Sequence, residues 1–129
     1  MRHSAATLLL LPTLLVTAAF TIYPWSGPKN AQLGQPAVVN GVIIQVAEVL
    51  QDTRCPENED CASPGYVRVR AYYLHPKQQD EEEIELVVGT PTKVAEGAVT
   101  VEAVRPAKRL KKPIEIGEYR FDLRFDPDR

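Results

Sequence analysis

Histidine, serine and cysteine are scarce in this chain, and each scarcity removes a class of chemistry. Among 129 residues there are two histidines, His3 and His75, and three serines, Ser4, Ser26 and Ser63. Nucleophilic catalysis by serine needs a hydroxyl beside a base that a third group orients. Neither Ser63 nor His75 has such a setting, and His75-Pro76 reads as the start of a turn. Two cysteines, Cys55 and Cys61, are too few for a structural zinc site once they are joined to each other. Charge of one sign is not in excess: 15 Lys+Arg against 17 Asp+Glu leave a formal net charge of -2, too little to draw a charged partner through the overall field. A basic face interleaved with aromatics is missing, which argues against nucleic acid. The chain is therefore expected to be non-catalytic, with no cofactor and no resident metal.

One long apolar run is present, at the N-terminus. Met1-Arg2-His3-Ser4 is short and basic, and residues 5–22 carry no charge. A basic start, an apolar stretch and small residues at Val16-Thr17-Ala18-Ala19 match a secretory signal peptide, with cleavage after Ala18 or Ala19. The competing reading is an uncleaved anchor: the run approaches the ~20 apolar residues that span a bilayer, with Tyr23 and Trp25 at the interface and Lys29 beyond. Both readings imply export, to the periplasm or outside the cell. A buried amphipathic helix fits poorly, because the run contains Pro12 and is apolar throughout, with no polar face. The expected organisation is a signal peptide or membrane anchor over 1–22, a Gly/Pro-containing linker over 23–31 and one domain over 32–129. Membrane contact is expected only through the N-terminal segment.

Beyond residue 32 the chain reads as strands. Asn40-Gly41 is a tight-turn dipeptide between a short strand ending at Val39 and a longer one over 42–50. In 66–73, Val67, Val69, Ala71 and Tyr73 alternate with Arg68 and Arg70, the period of a half-buried strand. Further strands are expected at 83–88 and 98–104. In the last, Tyr119, Phe121, Leu123 and Phe125 share one face against Arg120, Asp122 and Arg124. Eleven prolines and the absence of a convincing helical run point to an all-β fold. The expectation is a small antiparallel β-sandwich, immunoglobulin-like or related, or a small barrel.

Residues 52–65 form a long connection between two strands, and long ordered loops often carry function. In an exported chain Cys55 and Cys61 are expected to be oxidised. The small ring adds roughly 2 kcal/mol in the chain-entropy model, so its main effect is to hold the loop's shape. Asp52 and Arg54 read either as braces for the loop or, with Glu57, Glu59 and Asp60, as a recognition surface. Redox use of the cysteines is disfavoured, because their spacing is not the two-residue spacing that tunes a dithiol. The three acids could collect Ca²⁺, but a regular ligand ladder is missing and solvated acidity is the default.

The run Asp52-Thr53-Arg54-Cys55-Pro56, Cys61 and Gly65 resembles a pattern of small secreted bacterial proteins of uncharacterised function. Their loop reads Asp-Ser-Arg-Cys-Pro, a variable stretch, then Cys-x-Trp-x-Gly before an alternating strand. This chain departs at Ser63, which stands in the Trp position. The resemblance covers the loop and its flanking strands. It implies a secreted or surface-anchored β-sandwich and no particular activity.

Two charge runs complete the picture. Asp80 to Glu83 with Glu85 are acidic; Arg105, Lys108, Arg109, Lys111 and Lys112 are basic. Both read as solvated turns, worth under ~1 kcal/mol per exposed pair, with attraction of the basic turn to anionic envelope material as the alternative. The functional expectation is an exported domain that binds a protein or cell-envelope component through the disulfide loop. The alternatives are a structural accessory domain tethered by an uncleaved N-terminus, and a small carboxylate-dependent enzyme.

Overall fold

In the computed structural model, which describes residues 26–129, the alternating segments of the sequence become strands. The segment read as a signal peptide or anchor lies outside the described residues. The strands are β1 (Ala31–Gln32), β2 (Pro36–Val39), β3 (Val42–Asp52), β4 (Val67–Leu74), β5 (Glu82–Val87), β6 (Thr92–Val94), β7 (Gly97–Arg105) and β8 (Arg120–Pro127), with a 3-10 turn at Ile116–Glu118 before the last. They form two four-stranded antiparallel sheets, ordered β2-β3-β4-β5 and β1-β8-β7-β6. The fold is a small antiparallel β-sandwich. β2 to β5 form one meander and β6 to β8 a second, with β1 added at the edge beside β8, an order that differs from the interleaved order of an immunoglobulin domain.

Period two explains the layering. Val67, Val69, Ala71 and Tyr73 of β4 are buried, as are Phe121, Leu123 and Phe125 of β8. The rings of Tyr73 and Phe125 meet with centroids 5.8 Å apart, linking the inner faces of the two sheets. Burying each Val, Leu, Ile or Phe contributes about 1.5–3 kcal/mol, which offsets the entropy of ordering the strands. The Asn40-Gly41 turn has the double positive φ of a two-residue hairpin, 45° and 85°, and closes the Val39–Val42 pair.

Three features differ from the sequence expectation. First, β1 and β6 are two and three residues long, too short to display a period. Second, β3 runs on to Asp52 through register shifts at Val46/Glu48 and Val49/Gln51, bulges that break its alternation. Third, the stretch expected as a linker is tied to the domain over residues 26–31. Ser26 bridges Ala37 in a parallel pair, and Ala31 is buried opposite Phe121. The Leu123 amide donates to the Pro28 carbonyl at 2.7 Å. Gly27 and Pro28 mark an irregular but ordered run along the sheet edges, so the ordered unit begins by Ser26.

The connections gather at two ends. Residues 53–66 and 106–119 meet at one end, through a hydrogen bond of 2.8 Å from the Glu57 amide to the Lys108 carbonyl. At the other, His75 lies 2.6 Å from Glu96 and the Asn40 amide side chain donates to the Phe125 carbonyl. Among the described residues no ion pair joins the acidic run at 80–85 to the basic run at 105–112; Glu85 pairs with Arg68, Arg109 with Glu57 and Arg105 with Asp122.

Candidate functional site

The end of β3 and the start of β8 come together beneath the disulfide loop. Asp52 is the last residue of β3 and its carboxylate is turned inward. Arg54 forks onto it, donating from Nε to Oδ1 at 2.9 Å and from Nη2 to Oδ2 at 2.8 Å. The phenol of Tyr119 donates to Oδ2 at 2.9 Å. Arg54 also donates from Nη1 to the carbonyls of Pro106, at 2.9 Å, and Val104, at 3.4 Å. One guanidinium thus satisfies a carboxylate from one sheet and two carbonyls at the end of β7 in the other, a use of its planar fork that lysine cannot reproduce.

The electrostatics follow from that geometry. Burial opposes charge on Asp52, but the Arg54 fork, the Tyr119 hydroxyl and the charge of Arg54 outweigh it and hold the carboxyl below the ordinary carboxylate range. Burial and the bond to Asp52 push the Tyr119 phenol up to about 12. The same Asp52 bond raises Arg54. The knot is a neutralised pair with a phenol attached, and all three groups keep their neutral-pH protonation states.

Outward from the knot, the loop is paired to itself. The Thr53 amide donates to the Tyr66 carbonyl at 2.9 Å, and the Cys55 amide to the Pro64 carbonyl at 3.0 Å. Gly65 sits at φ +68°, and a Cβ there would lie 1.9 Å from the Thr53 carbonyl oxygen; only glycine fits. Cys55 and Cys61 are disulfide-bonded with Cα atoms 5.9 Å apart, and no free cysteine accompanies them. The loop is then docked on the 106–119 connection. Lys108 Nζ donates to the Asp52 carbonyl at 2.7 Å, and the Leu110 amide donates to the Asn58 side chain at 2.9 Å.

The candidate binding residues therefore part company. Asp52 and Arg54, with side chains 10% and 18% exposed, face inward and act as the brace, so they do not present a recognition surface. Glu57, Glu59 and Asp60 are exposed at the tip. Glu57 reaches Arg109 at 3.3 Å. Among the described residues no group of three or more His, Cys, Asp or Glu is placed to hold a metal ion.

Sequence reasoning missed three residues at this end. Of the four large apolar side chains exposed among the described residues, Tyr66, Leu110 and Ile116 all lie on these two connections. Leu110 and Lys111 cap a tight turn closed by the Arg109–Lys112 bridge, and Lys111 takes a left-handed φ of 62°, uncommon for lysine. Beside the turn a recess of about 120 Å³ is lined by Pro106, Ala107, Pro113 and Ile114 with Arg109, Lys112 and Glu118. The available signal was an isolated Leu and an isolated Ile in a polar stretch without period. No family model matches the chain, and no curated protein or solved structure matches it either.

Proposed function

We propose that this is an exported, non-catalytic β-domain that binds a protein or cell-envelope component through the end bearing the disulfide loop. The observation that carries the reading is the concentration of exposed Tyr66, Leu110 and Ile116 on two connections that are otherwise immobilised. Aromatic and aliphatic side chains on a rigid frame bind with little loss of conformational entropy, and such anchors contribute most at interfaces. Glu57, Glu59 and Asp60 on one side and Lys111 and Lys112 on the other supply a polar rim of both signs. The disulfide is consistent with an oxidising compartment, as are the basic start and the apolar run of the first 22 residues. The loop's resemblance to small secreted bacterial proteins points the same way.

Site-specific photo-crosslinking in the exporting cell tests the reading. A cross-linker at position 110 or 116 should trap one discrete partner, and the same group at position 78, on the opposite end, should trap none. Identical products from all three positions, or none from any, overturn it. The mass of the exported chain separates the tethered alternative: loss of the first 18 or 19 residues rules out an anchor.

A further inference from the structure

The outer face of the β2-β3-β4-β5 sheet is divided in two. Toward the disulfide end it is charged and balanced, with Arg68 against Glu85 and Arg70 against Glu48 at 2.6 and 2.5 Å. Toward the other end the outward positions are mostly apolar. Strand register places Val38, Ile43 and Leu74 in one row across β2, β3 and β4, and Pro36, Gln45 and Tyr72 in the next. Between them lies a groove of about 210 Å³ lined by Pro36, Ile43, Gln45, Tyr72, Leu74 and Glu81. A solvated face of an antiparallel sheet normally alternates to polar residues, so an apolar recess on it calls for an occupant.

Charge beside the groove says what kind of occupant. Glu81 lines it, and Glu83 on β5 lies directly across from Tyr72, on the same outward face. Both carboxylates are exposed, and among the described residues neither belongs to an ion pair. Asp80 and Glu82 continue the acidic run, and Lys77 is the one lysine or arginine between Leu74 and β5. In the balanced half of the face each carboxylate has an arginine of this chain beside it. At the groove the matching cation is left to come from outside.

We infer that the groove binds a small organic amine, its apolar body against Ile43, Tyr72 and Leu74 and its ammonium group against Glu81 and Glu83. Drug-sized ligands occupy pockets of roughly 300–1,000 Å³, so this smaller recess suits a single ring or a short chain. Carboxylates and phosphates are repelled by the acidic rim, and a neutral ligand of the same shape leaves that rim unmatched. Ion pairs at exposed carboxylates are weak and screened by salt, so a dissociation constant on the order of 1 mM is expected for so small a ligand. The groove lies away from the disulfide loop, so it can fill with the loop's own partner bound or absent, and a ligand this small adds no protein product at position 78.

Amide chemical shifts of the exported chain, titrated at low salt, test this with three probes of one shape: 2-phenylethylamine, 2-phenylethanol and phenylacetate. The amine should give saturable shifts at Ile43, Tyr72, Leu74 and Glu81, with none at Leu110 or Ile116. The alcohol should bind about fivefold more weakly, the effect of one or two exposed ion pairs, and phenylacetate more weakly still. Glu81→Gln with Glu83→Gln should bring the amine down to the alcohol, whereas Leu74→Ser should weaken amine and alcohol alike. Equal binding of all three probes, which marks a merely apolar recess, overturns the inference, as do shifts that never saturate or that fall elsewhere. So does tighter binding of acetyl-Lys-Leu-Lys-amide at the same residues, the result expected of a groove that receives the side chains of a protein.

Discussion

The base and the tip of the 53–66 loop are held in different ways. At the base a carboxylate, a guanidinium and a phenol share one buried knot that ties the end of β3 to the start of β8. At the tip a small sulfur-closed ring carries three exposed acids. Covalent bonds are the conspicuous part of such a loop, yet a short ring constrains the unfolded chain only modestly, whereas an unpaired charge left inside the protein is costly. The comparison teaches that the frame resides at the base, and the tip is where sequence can change without loss of fold.

Removing one side of the knot should have the largest effect. Asp52→Ala leaves Arg54 buried without its partner and is expected to cost about 4 kcal/mol, read as a lower denaturant midpoint at unchanged m-value. A loss under about 1 kcal/mol would reverse the ranking of base over tip. Gly65→Ala comes next, at about 3 kcal/mol, because the added carbon meets the Thr53 carbonyl in a backbone region that L-residues avoid. Breaking the disulfide, by reduction or by Cys55→Ser with Cys61→Ser, should cost about 2 kcal/mol and leave the β circular dichroism intact. Replacing Glu57, Glu59 and Asp60 together by their amides should change stability by under about 0.5 kcal/mol.

The knot also sets a dependence on pH with two signs. Asp52 is held below its ordinary value. Its contribution is therefore complete above the unfolded carboxylate range, near 3.9, and is lost as pH falls through the lower folded value. Tyr119 is raised to about 12. Its contribution is complete below the unfolded phenol value near 10 and is lost as pH rises toward about 12. Tyr119→Phe should abolish the alkaline part of the stability profile and only weaken the acid limb, which the Arg54 fork still supports. An unchanged profile between pH 10 and 12 would place the phenol outside the knot.

How much of this could be read beforehand depends on length and on local contact. Strands β4 and β8 were legible because eight residues of strict alternation leave one solution for which face is buried. The hairpin at Asn40-Gly41 was legible because few dipeptides accept two positive φ values. Strands β1 and β6 were not, since two or three residues carry no period and owe their pairing to β8 and β7. Asp52 and Arg54 could be singled out by their place beside the cysteines, with bracing as one of two readings. Tyr119 read as one more apolar face position, because its 67-residue separation from Asp52 has no trace in local pattern. The surface of Tyr66, Leu110 and Ile116 was invisible for the same reason: it exists only after two distant connections have been brought to one end.

The parallel bridge between Ser26 and Ala37 has a consequence for reach. Ala37 is level with Ile44 on β3, while the loop departs after Asp52, roughly 26 Å further along at 3.3 Å per residue. The chain enters the domain at one pole and offers its Leu110 turn at the other. Ser26 and the Leu110 turn thus stand at opposite poles of the sandwich, separated by most of the length of β3.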